Sequence, residues 1–528
     1  MMNDYKETLE RVKDMQQTEN GALGYSTSGE KLVDLNFSVP SNHSNVTTDA
    51  YDKFKAALGE DLVNTVKWLF YLRDIREGLG ERDSFVTLYM TLYNTNPEAA
   101  LKVLPLIPVY GRWRDVIDIL AKTYDSTPLA DAIYGMVKSQ LMEDAENWSQ
   151  GKSISLLAKW LPSVNASQKS RARASRICRH LGLIFADYRK MLANLRRHLD
   201  VTEVKTCGGN WDMVDYNKVS SNANARYVNA FMRHDPERRK QYLKELEKPV
   251  PVGAVMHASN LYPHEVYAKY NLKGHTRNFH WEPKAEPDAG VEALWRNLKD
   301  MESIGNTMVV CDGSGSMEIP ISGAKGIQAI DVSRALGVYF SERAAGEFKD
   351  KVIEFSSHPE YIDLSKCETL ADKYNVMTTH DDCSNTNLEL VFGLLLMTAV
   401  KNNIPQEELP KSILIVSDME FDRACEFKGA YDGSDHDVIM ARYQTLFDTI
   451  KNRWTAAGYT MPNIVFWNVN SRTNTIPVKA NEAGVILVSG FSVNTLKMVM
   501  SGNTNPWDAL LGVLDSERYD AVEDAILG

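Results

Sequence analysis

The pattern of apolar and polar positions changes once along the chain, near residue 303. From 50 to about 245, apolar residues recur at the i, i+3, i+4, i+7 spacing of amphipathic helices. EDLVNTVKWLFYLRDI (60–75) is the clearest case, and the glycines of REGLGERD end it. DSFVTLYMTLYN, PEAALKVLPLI, RWRDVIDILAKT and PLADAIYGMVKSQLMEDAEN follow, each bounded by Gly, Pro or Asn-Pro. Consecutive short helices joined by tight turns predict a stacked, solenoid-like array, although no strict sequence period runs through it. Residues 249–290 are less regular, and VEALWRNLKDM reads as the last helix before the boundary. Ahead of the array, residues 1–17 predict a polar helix. Residues 18–49, rich in Gly, Ser, Thr and Asn, predict an extended arm whose apolar pulse LVDLNF packs against another part of the protein.

Beyond 303, apolar runs of strand length alternate with helical segments. The runs are TMVVC (307–311), VIEFS (352–356), SILIVS (412–417), NIVFWNV (463–469) and VILVSG (485–490). AIDVSRALGVYFSERAAGE, NLELVFGLLLMTAVKN and ARYQTLFDTIKNRW lie between them. Near-continuous Val/Ile/Leu strands alternating with helices predict a parallel sheet buried on both faces. Right-handed crossovers then send helices to both sides, and ligands gather at the carboxyl ends of strands near the reversal of strand order. The expected fold class is α plus α/β, an all-helical domain followed by a doubly wound parallel sheet. The expected division is 1–45 for the N-terminal helix and arm, 46–302 for the helical domain and 303–528 for the α/β domain.

Composition, at 44% apolar and 24% charged, adds the expectation of a soluble globular protein with material for two cores. No stretch approaches 18 consecutive apolar residues, so no membrane span is expected, and the charged start MMNDYKETLERVKDMQQ does not read as a signal peptide. The six scattered cysteines form no CxxC pair and no zinc spacing, so they read as free thiols in a reducing compartment and place the chain in the cytoplasm. Charge changes the picture more. The net value is −11, yet Lys152 to His198 holds eleven Lys/Arg against the single acid Asp187, a window of +10 that leaves about −21 for the rest.

Candidate chemistry concentrates in two places. Thr307 to Glu318, TMVVCDGSGSME, runs a strand into Asp312, Ser314 and Ser316 at alternate positions, which lets a looping backbone aim three oxygens into one hollow. Two later loops open on the same sheet edge: CSNTNLEL, with Thr386 just before a helix, and ILIVSDMEFD, with Asp418 directly after a strand. Two carboxylates and three hydroxyls, with no His or Cys, suit Mg²⁺, or Mn²⁺ or Ca²⁺, and not zinc. With only two negative charges, such an ion keeps water or accepts a carboxylate from a partner. Glu318, Glu420 and Asp422 read as rim charges. An EF-hand fails because loop positions 6 and 12 are Met317 and Gly323. A phosphate loop and a nucleophile elbow fail as well, and no nucleophile–base pair or dinucleotide fingerprint stands out, so an enzyme is not expected and no catalytic residue is assigned.

The second place is the basic window. Its cations are Lys152, Lys159, Lys169, Arg171, Arg173, Arg176, Arg179, Arg189, Lys190, Arg196 and Arg197, with Trp160 and Tyr188 close by. Guanidinium forks and aromatic rings suit an RNA backbone. The competing reading is a solvated face paired with acids elsewhere in an acidic chain.

DGSGS, a Thr before a helix and SD after an apolar strand resemble the metal-ion-dependent adhesion site of von Willebrand factor A domains, over roughly 303–528. That resemblance implies hydroxyl ligands from Ser314, Ser316 and Thr386 and direct or water-mediated binding by Asp312 and Asp418. Thr378 and Thr379 lie near Thr386, and Asn385 stands where the usual glycine precedes the threonine. A helical array before such a domain, with LRDIREGLGERD as an arginine- and glycine-rich turn, resembles the TROVE-domain Ro autoantigen family. IPVYGRWRDVIDIL, LLAKWLP, YRKMLANLRRHL, NWDMVDYNKVSSNANARYVNAFMRHD, LYPHEV and ENGALGYSTSGEKLVDLNF look closer to an uncharacterised TROVE-like family of plants, phages and giant viruses. The resemblance implies HEAT-like repeats and binding of small noncoding or misfolded RNA by its single-stranded ends. The helical part, about 46–302, is shorter than the ring of Ro proteins, and no matched motif fixes individual RNA contacts. A protein-interaction scaffold whose metal captures a partner's acidic residue remains the alternative.

Overall fold

The computed structural model describes residues 12–40, 47–248, 254–271, 284–301, 303–322, 324, 326–355, 359–379, 387–422, 445–500 and 505–528. The chain forms two compact units that interleave in sequence: residues 1–65 with 258–516, and residues 66–257 with 517–528. The expected boundaries at 45 and 302 divide it differently: 46–65 and 258–302 group with the sheet-bearing unit, and 517–528 with the helical one.

The helical unit takes the predicted elements nearly as the periodicity reads them, with helices at Leu62–Arg73, Asp83–Thr95, Pro97–Val103, Trp113–Lys122 and Pro128–Ser149. Their apolar stripes form its core, where Phe70 meets the edges of Phe85 and Tyr110 at 5.9 and 5.2 Å. Inside lie two carboxylates with guanidinium partners. Arg73 bonds Asp115 at 2.7 Å with both side chains buried, and Arg518, brought by the C-terminus, bonds Asp74 at 2.7 Å. Tyr519 stacks on Tyr110 at 5.7 Å and meets Tyr71 edge-on. Isolated charges at such depth are costly, so each pair depends on its partner being present. The RDIREGLGERD turn is tight for a steric reason: a Cβ on Gly78 would lie 2.1 Å from the Tyr71 carbonyl oxygen.

The α/β unit is built on a six-stranded sheet. Numbered along the chain after a short hairpin (β1, Met15–Gln17; β2, Leu23–Tyr25), its strands are β3 Thr307–Asp312, β4 Lys351–Phe355, β5 Glu360–Asp363, β6 Ser412–Ser417, β7 Asn463–Asn468 and β8 Val485–Ser489. Their order is β5-β4-β3-β6-β7-β8, parallel except for the antiparallel edge strand β5. The order reverses between β3 and β6, the doubly wound arrangement expected, and it sets the ends of these two strands side by side with Cys311 opposite Val416. Strand β5, EYID, was not expected. It is short, polar and exposed at three of its four residues, so it carries no apolar run. The helix Ala329–Ser341 packs so closely on β3 that a Cβ on Gly337 would lie 2.1 Å from Cys311 Sγ.

The N-terminal arm belongs to this unit. Residues 15–17, expected as the end of a helix, form β1; residues 1–11 lie outside the described part. Tyr25 and Ile476 exchange two backbone hydrogen bonds of 2.8 Å. LVDLNF is a helix, Lys31–Ser38, and not extended chain. It is buried on all sides from Leu32 to Ser38, which leaves no polar stripe for periodicity to reveal. Asn468 and Ser489, at the ends of β7 and β8, donate to its Phe37 and Asn36 carbonyls.

Candidate functional site

The oxygen cluster forms at the reversal of strand order. Asp312 closes β3 and is fully buried. Its Oδ1 accepts the Ser314 amide at 3.0 Å and its Oδ2 accepts the Ser417 hydroxyl at 2.5 Å. Ser333, from the helix behind, accepts the Asp312 amide at 3.1 Å and donates to the Val416 carbonyl at 3.0 Å, joining the ends of β3 and β6. Gly313 is glycine because a Cβ there would lie 2.5 Å from Glu354 Oε1, itself held by Arg334 at 2.7 Å in a buried pair. Ser314 and Ser316 hydroxyls stand 2.9 Å apart. Beyond β6, Asp418 is fully buried; its Oδ1 accepts the Glu420 amide at 3.1 Å, and its Oδ2 has no hydrogen-bond partner. The turn is completed by Met419 at φ +63°, a left-handed conformation uncommon for such a side chain.

Asp312, Ser314, Ser316 and Asp418 are therefore brought together, while Thr386 lies outside the described residues. Burial, and then the negative charge of Asp418, push the Asp312 carboxyl up to about 7. Burial also raises Asp418. Two carboxylates that resist ionising together, an orphaned buried oxygen and two adjacent hydroxyls form a hard-oxygen donor set that fits Mg²⁺, Mn²⁺ or Ca²⁺. Among the described residues no group of three or more His, Cys, Asp or Glu side chains is placed to hold a metal.

Glu420 is not a rim charge. It is fully buried and accepts the amides of Glu19, Arg472 and Thr473 at 2.8–2.9 Å, with the hydroxyls of Ser471 and Thr473. It ties the arm and the loop after β7 to the loop that carries Asp418. A carboxylate with so many donors is stable in the interior, and its sequence context, SDMEFD, gives no sign of that role. Ser333, Ser417 and Arg472 were missed for the same reason: their partners are distant in sequence.

The basic window folds as a short helix, Leu157–Trp160, and two longer ones, Gln168–Leu181 and Phe185–His198, the last two separated at Gly182 in the left-handed conformation. Its cations divide into two groups. Arg176 bonds Asp125 at 2.6 Å and donates to the Leu120 and Thr123 carbonyls. Arg196 donates to the Ala158 and Leu161 carbonyls and the Ser163 hydroxyl, Arg173 pairs with Asp118 at 3.3 Å, and Lys159 pairs with Glu203 at 3.1 Å. The hydrogen bond from Tyr134, then that from Arg176, hold the Asp125 carboxyl below its ordinary value. Lys152, Lys169, Arg171, Arg179, Arg189, Lys190 and Arg197 are exposed. Arg171 lies 5.7 Å from the Phe185 ring centroid, and Arg112 and Lys159 lie 6.0 and 5.6 Å from that of half-buried Trp160. In the turn 73–83, Arg73 is buried on Asp115, whereas Arg76 and Arg82 are exposed.

Comparison with known proteins places the chain among uncharacterised relatives. A domain of unknown function, DUF7788, matches residues 306–519, and another, DUF2828, matches residues 18–131 and 169–306. An uncharacterised protein, L728, of Acanthamoeba polyphaga mimivirus is 29% identical over 532 residues, covering 94% of this chain and 87% of the relative. Giant viruses are one of the three groups, with plants and phages, named for the family that the sequence motifs resemble. Among solved structures, the Ro (RSR) protein of Deinococcus radiodurans aligns over 94% of this chain and 100% of its own, at 11% identity and a TM-score of 0.41. No helix among the described residues is long and apolar enough to cross a membrane.

Proposed function

We propose that the chain is a cytoplasmic binding scaffold, not an enzyme, that holds RNA on the exposed face of the Gln168–His198 helix pair. The observation that carries this reading is the set of seven exposed cations, Lys152, Lys169, Arg171, Arg179, Arg189, Lys190 and Arg197, on one helix hairpin and its approach. In the second helix Arg189, Ala193 and Arg197 share a stripe at i, i+4, i+8, opposite the buried Tyr188, Leu192 and Leu195. Small and basic side chains along one face let a phosphate backbone approach closely, and the resemblance to Ro-type proteins gives single-stranded ends of small or misfolded RNA as the partner class.

The α/β unit, in the same reading, is a von Willebrand A-type domain whose Asp312, Ser314, Ser316 and Asp418, with Thr386, hold Mg²⁺, Mn²⁺ or Ca²⁺. The metal supplies an electrophilic docking point, and the chain's own groups hold it without neutralising it fully. An acidic side chain of a protein partner completes its shell. The orphaned Asp418 Oδ2 favours this second binding role, and a protein scaffold without RNA is the competing reading.

Crosslinking followed by sequencing of RNA that co-purifies with the full chain tests the first role. Enrichment of short RNAs is expected, and its loss when Lys169, Arg171, Arg189, Lys190 and Arg197 become Glu. RNA at background in the parent protein leaves the protein-scaffold reading in its place.

A further inference from the structure

Asp418 Oδ2 lacks a hydrogen bond, yet a cation stands close to it. Arg472 Nη1 lies 3.7 Å from that oxygen and 3.5 Å from the Ser316 carbonyl oxygen. The other end of the same guanidinium, Nη2, lies 2.5 Å from Glu19 Oε2 of the N-terminal arm. The backbones of both residues are fixed by one buried group: Glu420 accepts the Arg472 amide at 2.8 Å and the Glu19 amide at 2.9 Å. The arm is further anchored there by Thr18 and Asn20, which donate to the Phe421 and Glu420 carbonyls at 2.6 Å. With both backbones held, what remains adjustable is where the Arg472 side chain places its charge. Glu19 is 56% exposed and Asp418 is not exposed at all, so one end of the guanidinium is solvated and the other is not.

We propose that Arg472 is a built-in counter-cation for Asp418 that a divalent ion must displace, and that Glu19 receives it; this rests on the metal reading above. A metal drawn to Asp418 Oδ2 meets a positive charge already there, and like charges at a few ångströms in a shielded site repel strongly. The guanidinium then moves fully onto Glu19, whose carboxylate is already in contact with it. The arm becomes part of the metal site through this exchange, and metal affinity is set by the competition between two carboxylates for one arginine. Without metal, the same contact stabilises the buried Asp312 and Asp418 pair.

Titration calorimetry with Mg²⁺ and Mn²⁺ on the full chain, with melting curves at zero and saturating metal, tests this. Arg472→Gln is expected to bind metal about tenfold more tightly than the parent, and Glu19→Gln several-fold more weakly, since it leaves the displaced arginine no carboxylate to pair with. Arg472→Gln is also expected to melt lower than the parent without metal and equally with it. Metal binding to Arg472→Gln alone, with a silent parent, also supports the exchange. Equal affinities in all three proteins overturn the exchange and leave the metal site standing. A Tm loss in Arg472→Gln that saturating metal does not recover overturns it as well, because it marks a structural arginine. Absence of binding in both the parent and Arg472→Gln overturns the exchange and the metal site together.

Discussion

The oxygen cluster and the basic helix pair are both concentrations of charge, and they are built in opposite ways. The first gathers Asp312, Ser417 and Asp418 from strand ends about a hundred residues apart, buries them, and fixes them with backbone amides and hydroxyls. The second is continuous in sequence, and much of its charge faces solvent. A buried set is defined by geometry and tuned by each neighbour, whereas an exposed set acts through the sum of its charges. The division among the arginines sharpens this. Arg176 and Arg196 look in sequence like their neighbours Arg179 and Arg197, yet they hold helices together through carbonyl oxygens.

The largest expected effect tests the exposed set. Replacing Lys169, Arg171, Arg189, Lys190 and Arg197 with Glu lowers RNA affinity by at least about a hundredfold in a gel shift, and the parent's affinity falls steeply with salt. A salt-independent parent breaks the contrast, since additive surface charge would then not be the binding term. The opposite signature belongs to Arg176→Ala. It costs about 1.5–3 kcal/mol of stability in denaturant unfolding, through lost charge-assisted hydrogen bonds, and changes RNA affinity little. A strong affinity loss with unchanged stability places Arg176 in the binding surface.

At the buried set, Asp312→Ala removes the gain in Tm that Mg²⁺ gives the parent, a few degrees at millimolar metal by ordinary binding linkage. A gain of the same size in the variant excludes Asp312 as a ligand. The smallest effect is the pH dependence of that gain. Asp312 rises from 3.8 to about 7, so the folded protein binds a proton that the unfolded chain has lost. The stability this contributes is complete below about 4 and is lost as pH rises through about 7. Mg²⁺ competes with that proton, so its gain in Tm grows between pH 5.5 and 8. A gain that shrinks over this range points to another site.

Much of this was legible in the sequence. SILIVS is a strand to the residue, and TMVVC and VILVSG differ from β3 and β8 by one residue at one end, because strands buried on both faces are written as unbroken apolar runs. The meeting of Asp312, Ser314, Ser316 and Asp418 followed from alternating strands and helices, since a doubly wound sheet has one edge where loops converge. What was not legible depends on partners. LVDLNF became a helix because β7 and β8 cover it, and its all-round burial erased the periodicity that marks a surface helix. Glu420 became an interior hub because three distant amides converge on it.

The sequence by itself determined the amphipathic helices, the long apolar strands, their alternation and therefore the place where acidic and hydroxyl side chains gather, because these follow from local periodicity and connection rules. Tertiary structure alone decided that residues 1–65 join the α/β unit and residues 517–528 the helical one, which arginines are structural, and that Arg472 stands beside Asp418. Those outcomes rest on long-range burial and pairing of charge, whose energies depend on a neighbour that no local window contains.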